Sequence, residues 1–237
     1  MLEIKNFTKS YVKGINAADD ITLTVNDGEI FGFIGHNGAG KTTTIKAIVG
    51  TLDFDQGEIL LDNLNIKTNP IEFKQKVAYI PDNPEVYNNL TGMQYLDFIV
   101  NIYNLEDEYI NEEINKYATE FELVEELNNE INTYSHGMKQ KLLLISAFIR
   151  NPKLLILDEP FTGLDPNATF KMKQQMKKLA ESGAIIFFST HVLEVAEKFC
   201  DTIGIIRNGK LMKVGSMQEV KGDKSLESVF MELLENE

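Results

Sequence analysis

Residues 30–43 read IFGFIGHNGAGKTT, and this stretch decides the fold. It opens with a continuous apolar run, Ile30–Ile34, which is typical of a strand buried in a parallel sheet. The residues that follow match G-x-x-x-x-G-K-[ST], the pattern of a phosphate-binding loop. Glycines let the backbone curl so that N–H groups point at phosphate oxygens, and a helix predicted from Thr42 to Val49 adds its positive end.

The loop ends in Lys41 and Thr42, whose side chains have different chemistry. In such loops the lysine amino group reaches the β- and γ-phosphates of a nucleotide, and the hydroxyl ligates Mg²⁺. We therefore expect a nucleoside triphosphate and Mg²⁺ at this position.

A second apolar run, Leu154–Leu157, ends in the carboxylates Asp158 and Glu159. A buried strand would present both at its C-terminal edge, where open α/β sheets place their ligands. We expect Asp158 to hold Mg²⁺, directly or through water. Glu159 is the natural general base for an attacking water.

The remaining pattern predicts an α/β fold with a mostly parallel sheet. We expect a P-loop NTPase core, an N-terminal antiparallel β subdomain and an inserted α-helical subdomain. The prediction is one domain, 1–237, with 1–81 and about 150–215 as the catalytic core, about 82–149 as the helical subdomain and 216–237 as a short helical tail. Helices are predicted after a capping box at Thr91 and Gln94, and at Tyr109–Phe121, His136–Ile149, Pro166–Glu181, Leu193–Cys200 and Ser225–Leu234.

Composition narrows the class of function. The net charge of -13 argues against broad binding to nucleic acid and against adsorption to anionic lipid. No apolar run approaches the ~20 residues that span a bilayer, and we expect no secretion signal at the N-terminus. The single cysteine, Cys200, excludes an internal disulfide and fits a reducing cytosol. If the chain works at a membrane, it must dock on another protein.

Further motifs stand in a fixed order and together resemble the ATP-binding-cassette (ABC) ATPases. The resemblance covers residues 2 to about 215, and its motifs separate this family from other P-loop proteins. They are Tyr11 as an upstream aromatic, Val77–Asp82 (VAYIPD) leading into a Q-loop, Tyr134–Gln140 (YSHGMKQ) as the signature, Thr162–Asp165 (TGLD) as the D-loop and Ser189–His191 (STH) as the H-loop.

The resemblance implies two copies arranged head to tail with two ATP molecules between them. Ser135 and Gly137 would then contact the γ-phosphate from across the interface, and His191 would contact it while helping to hold the attacking water. The implied ATP contacts within one copy are Tyr11, Gly35, His36, Asn37, Gly38, Ala39, Gly40, Lys41, Thr42 and Thr43.

Two of these residues have simpler alternatives. Asp165 would signal across the dimer, but Asp165-Pro166 is also an ideal start for a helix, with the aspartate as its cap. Tyr11 would stack on adenine, or it is a surface aromatic.

The chain departs from the family pattern at Asp82, where the Q-loop usually carries glutamine; a carboxylate there can still bind Mg²⁺ or water. His136 and Met138 replace the usual residues of the signature. This form of the signature, with the tail Ser225–Leu233, resembles the ATPases of ABC-2-type exporters.

The resemblance also implies two partners. One is a transmembrane permease, which would bind in a groove formed by the helical subdomain and Asp82–Asn89. The other is a second ATPase subunit, identical or different. The implied location is cytoplasmic, on the inner face of the cell membrane.

Two rival functions remain open at this point. A soluble ABC ATPase acting on ribosomes or DNA is disfavoured by the single P-loop, by the short spacing between P-loop and signature, and by the acidic charge. A P-loop switch that signals without pumping is disfavoured by the full catalytic set.

Overall fold

A computed structural model describes residues 1–12, 14–105 and 110–235 of the chain. Its ten strands within these ranges form two sheets. In chain order they are β1 (Leu2–Val12), β2 (Ile15–Val25), β3 (Ile30–Ile34), β4 (Gln56–Leu61), β5 (Leu64–Asn65), β6 (Val77–Ile80), β7 (Leu154–Asp158), β8 (Ile185–Thr190), β9 (Thr202–Arg207) and β10 (Lys210–Ser216).

The helices cover both faces of the larger sheet and form the inserted subdomain. They are α1 (Lys41–Ile48), α2 (Pro70–Gln75), α3 (Gly92–Ile102), α4 (Ile110–Glu120), α5 (His136–Phe148), α6 (Pro166–Glu181), α7 (Leu193–Phe199), α8 (Met217–Lys221) and α9 (Leu226–Glu235). Within the described ranges, no helix combines the length and the apolar character needed to cross a bilayer.

The larger sheet has the strand order β10-β9-β3-β8-β7-β6. All its neighbours pair in parallel except β10, which runs antiparallel to β9. Strands β3, β7 and β8 are buried along their whole length, which is why they read as apolar runs without alternation. Their C-terminal ends meet at one edge, so the residues after Ile34, Leu157 and Phe188 converge there.

The smaller sheet, of order β2-β1-β4-β5, is antiparallel and confirms the predicted N-terminal β subdomain. Its first strand runs to Val12, well beyond the alternation visible in Leu2–Lys5. The register shifts between Ile4 and Phe7, where Asn6 has a positive φ of 49°. A bulge of this kind breaks the period-2 pattern, so the sequence alone predicts a shorter strand.

The helical subdomain also agrees with the sequence. Thr91 and Gln94 form the capping box at the start of α3. The helix predicted for Tyr109–Phe121 is found as Ile110–Glu120, and Tyr109 lies outside the described residues. Helix α4 packs on α5 through Tyr117 and Phe148, whose rings stack at 5.6 Å between centroids. The other predicted helices agree to within a residue at each end.

Candidate active site

The phosphate-binding loop turns sharply between β3 and α1, and it needs glycine at specific points. Gly40 has φ 109°, and a Cβ there would lie 2.4 Å from the carbonyl oxygen of Ala17. A Cβ on Gly35 would lie 2.6 Å from the carbonyl oxygen of Ile206. At Gly38, with φ 81°, a Cβ would meet nothing within 4 Å, so this side of the loop faces open space. The loop is therefore packed on its outer side and open on the side where a phosphate would sit.

Lys41 is buried at the centre of this loop, with 6% of the residue exposed. Its Nζ donates hydrogen bonds to the carbonyl oxygens of Gly35 at 2.7 Å and His36 at 3.3 Å. The same amino group lies 3.3 Å from Oε1 of Glu159. A buried ammonium has to be paired, so these contacts fix the position of the charge.

Asp158 ends β7 directly beside the start of α1. Its Oδ2 accepts a hydrogen bond from Thr42 Oγ1 at 2.9 Å, and its Oδ1 accepts one from Ser189 Oγ. A hydroxyl oxygen and a carboxylate oxygen in contact are the hard donors that Mg²⁺ prefers. The residues present therefore fit a Mg²⁺ ion held between Thr42 and Asp158.

Glu159 has a backbone geometry that is rare for a residue with a side chain, with φ at 49°. Its Oε2 lies 2.9 Å from His191 Nδ1. Its Oε1 is buried and accepts no hydrogen bond from the described residues, although Lys41 Nζ is near. The carboxylate thus lies between Lys41 and His191 in the lining of the cleft, where a basic group can meet a water molecule.

These residues surround a cleft of about 370 Å³. The cleft brings together most of the residues predicted from the phosphate loop and the second carboxylate run, and it includes Asp82. Its lining consists of Ala17, His36, Asn37, Gly38, Gly40, Lys41, Thr42, Thr43, Asp82, Asp158 and Glu159. Gly35 and Ala39 belong to the loop but are buried behind it, and His191 reaches the cleft through Glu159.

Ser135 and Gly137 do not line this cleft. Ser135 caps α5, its Oγ accepting a hydrogen bond from the Met138 N–H at 3.3 Å. A Cβ on Gly137 would lie 3.0 Å from the carbonyl oxygen of Gly163, so the start of α5 packs against the segment that follows β7. Both residues are at an exposed or half-exposed helix N-terminus, which favours an anion.

Asp165 and Tyr11 also lie outside the cleft lining. Asp165 caps α6, accepting from the Ala168 N–H at 2.8 Å, and it pairs with Lys141 at 3.1 Å. The Ala168 N–H and then Lys141 hold the pKa of the Asp165 carboxyl below its usual value. The capping role is thus present, and signalling across a dimer stays a prediction. Tyr11 is 60% exposed near the end of β1, with Lys9 Nζ 5.7 Å from its ring centroid.

Sequence reasoning assigned no role to Ser189, which the structure brings into the site. It is fully buried, and it contacts both Asp158 and Glu159. The signals in the sequence are a hydroxyl residue at the end of an apolar run and its place as the first residue of the STH motif. The structure shows why Ser189 matters, because β7 and β8 pair with Asp158 opposite Ser189.

Comparisons with known proteins agree with this geometry. Residues 18–162 match the family model described as ABC transporter. The ABC-type transporter ATP-binding protein EcsA of Bacillus subtilis is 33% identical over 238 residues, covering 98% of this chain and 96% of the relative. A solved ATP binding subunit of an ABC transporter has a TM-score of 0.95 and 34% identity, covering 99% of both chains. A dimeric ATP-binding cassette in a post-hydrolysis state, bound to ADP and Pi, has a TM-score of 0.82 at 24% identity, covering 92% of this chain and 99% of its own, and shares the fold.

Proposed function

The chain belongs to the ABC transporter family as an ATP-binding and ATP-hydrolysing subunit, and on that premise we propose that it is the motor of a membrane exporter. In this proposal two ATPase subunits close on each other when they bind ATP. The observation that carries the proposal is one cleft holding Lys41, Asp158 and Glu159, with His191 in contact with Glu159. These groups are the ones that nucleotide hydrolysis needs, and Glu159 contacts both Lys41 and His191.

Different residues of the site have different roles in binding ATP and Mg²⁺. Lys41 and the N–H groups of the loop hold the β- and γ-phosphates, and Tyr11, which lies outside the cleft lining, stacks on the adenine. Thr42 and Asp158 would hold Mg²⁺, with Asp82 as a further carboxylate in the cleft lining. When bound, Mg²⁺ neutralises charge on the phosphate oxygens.

Glu159 acts as the general base. Its carboxylate lies in the cleft lining between Lys41 and His191, where it can accept the proton of the attacking water. His191 contacts Oε2, which fixes the direction of the carboxylate and brings the imidazole to the γ-phosphate side of the loop. The base lies within hydrogen-bonding range of its orienting group, as the chemistry requires.

The site is completed by a second copy of this chain. Ser135 and Gly137 lie at a helix N-terminus outside the cleft of their own subunit, so they are available to the γ-phosphate of another. Asp165 lies nearby as the cap of α6 and transmits closure to the facing subunit. The dimeric cassette with ADP and Pi, which shares this fold, supports a two-copy arrangement.

The membrane partner docks in a groove between α3, α5 and β6. This groove, about 240 Å³ in volume, is lined mainly by apolar and aromatic side chains, including Ile99 and Tyr103. Arg150 and Lys74 also line it, and none of its lining residues is acidic. Exposed rings of Tyr87 and Phe98 contact each other beside it at 5.3 Å between centroids. An exposed apolar patch with a positive floor suits a cytoplasmic helix that carries apolar and acidic side chains.

Export is supported by the form of the signature at Tyr134–Gln140 and by the tail Ser225–Leu233, both of which resemble ABC-2-type exporter ATPases. The transporter proposal places the chain on the inner face of the cell membrane through its partner. The competing proposal, a soluble ABC ATPase acting on ribosomes or DNA, predicts different companions in the cell.

The experiment is to tag the protein, extract it from native membranes in mild detergent and identify what co-purifies. We expect a membrane protein with several spanning helices in matching amount. Phe98→Asp, which puts a charge beside the groove, should lose that partner, and Phe170→Asp, at a more exposed aromatic on α6, should keep it. Ribosomal or nucleic-acid proteins in its place would overturn the transporter proposal. Retention of the partner by Phe98→Asp would contradict only the proposal that the partner docks in this groove.

A further inference from the structure

Ser189 lies between the two carboxylate residues of the site. It is the fifth residue of β8, fully buried, and it pairs with Asp158 across the parallel β7–β8 ladder. Its Oγ contacts Asp158 Oδ1, and it lies 3.0 Å from the backbone nitrogen of Glu159. One hydroxyl therefore touches both residues on which hydrolysis depends.

The directions of these two hydrogen bonds are fixed by chemistry. A backbone N–H can only donate, so the Ser189 oxygen accepts from Glu159. The single hydroxyl hydrogen is then donated to the carboxylate of Asp158. This leaves Oδ2 of Asp158 turned toward Thr42, whose hydroxyl donates to it at 2.9 Å.

The hydrogen bond from the Glu159 N–H to Ser189 is made by a residue with an unusual backbone conformation. Glu159 has a positive φ of 49°, a conformation that side chains other than glycine adopt only when their surroundings hold it. The same conformation directs its carboxylate toward His191 Nδ1 and Lys41 Nζ. The contact with Ser189 is thus one of the restraints that hold the base in position.

We propose that Ser189 is a positioning residue for ATP hydrolysis, orienting Asp158 with its hydroxyl hydrogen and Glu159 with its hydroxyl oxygen. The inference rests on the proposed role of Glu159 as the base. Ser189 is fully buried and does not line the cleft, so it acts through the two carboxylate residues. Because His191 directly follows Thr190, the last residue of β8, the serine also ties the base to the segment that carries its histidine.

We expect Ser189→Ala to lower kcat by about 10-fold or more, the loss expected for a hydrogen bond to a charged group. The KM for ATP should change by less than about threefold, because Lys41 and the loop remain in place. Ser189→Thr keeps the hydroxyl and should restore most of the rate. Ser182→Ala is the matched control, since that hydroxyl donates to the Leu179 carbonyl at the end of α6, away from the cleft.

The test measures kcat and KM for these variants together with thermal unfolding. A double variant, Ser189→Ala with Glu159→Gln, should lose less than the product of the two single losses, because a serine cannot position a base that has been removed. A wild-type kcat in Ser189→Ala, or fully multiplicative losses in the double variant, would overturn the inference. The role of Glu159 itself is judged separately, by the single variant Glu159→Gln.

Discussion

Replacing Glu159 by glutamine should slow ATP hydrolysis by about 10²–10⁴-fold, the usual range for the loss of a general base. Glutamine has nearly the same shape but cannot take a proton from water. The substitution removes the carboxylate that lies in the cleft between Lys41 and His191. ATP binding should survive, because Lys41 and the loop that hold the phosphates are unchanged.

The measurement is steady-state phosphate release, with nucleotide binding followed in parallel on the same preparations. Glu181→Gln, an isosteric change at the exposed end of α6, serves as the matched control and should keep the wild-type rate. An unaltered rate in Glu159→Gln would remove Glu159 from the role of base and leave the general position of the site intact.

Lys41→Ala should weaken ATP binding by about 10²-fold or more. The amino group is buried at the centre of the loop and supplies the positive charge for two phosphates, and each charge-assisted hydrogen bond contributes about 1.5–3 kcal/mol. Its removal also leaves Glu159 Oε1 without the cation that lies 3.3 Å away. The negative carboxylate would then repel the incoming phosphates.

This prediction is checked by titrating a fluorescent ATP analogue into the variant and the wild type. Lys177→Ala removes the same charge from the exposed face of α6 and should bind as the wild type does. A thermal unfolding curve confirms that the variant is folded. Full-strength binding by a folded Lys41→Ala protein would show that the cleft is not where the phosphates bind.

The sequence predicts the centre of the molecule well because its local patterns have direct structural causes. A loop that must curl requires Gly38 and Gly40 at positive φ, and fully buried strands read as unbroken apolar runs. Once β3 and β7 are recognised as parallel strands of one sheet, with β8 between them, their C-terminal ends must lie at the same edge. That rule alone predicts that Lys41 and Glu159 come together, and they do.

The remainder depends on contacts that no local pattern encodes. Ser189 faces Asp158 only because of the β7–β8 register, and Lys141 reaches the Asp165 carboxyl only because α5 lies beside the start of α6. The bulge at Asn6 hides the true length of β1. Ser135 and Gly137 lie outside the cleft because α5 packs against the segment after β7. This position is likewise set by tertiary packing and not by the local sequence.

The measurement that tests the central claim most directly is the mass of the Glu159→Gln protein in solution, determined by light scattering with and without ATP and Mg²⁺. If two copies complete the site, the slowly hydrolysing variant should shift from the chain mass of 26.8 kDa to twice that value when ATP is added. Ser135→Arg, which puts a bulky cation at the start of α5, should block the shift. A Glu159→Gln protein that binds ATP and keeps the mass of a single chain would contradict the claim that a second copy completes the catalytic site.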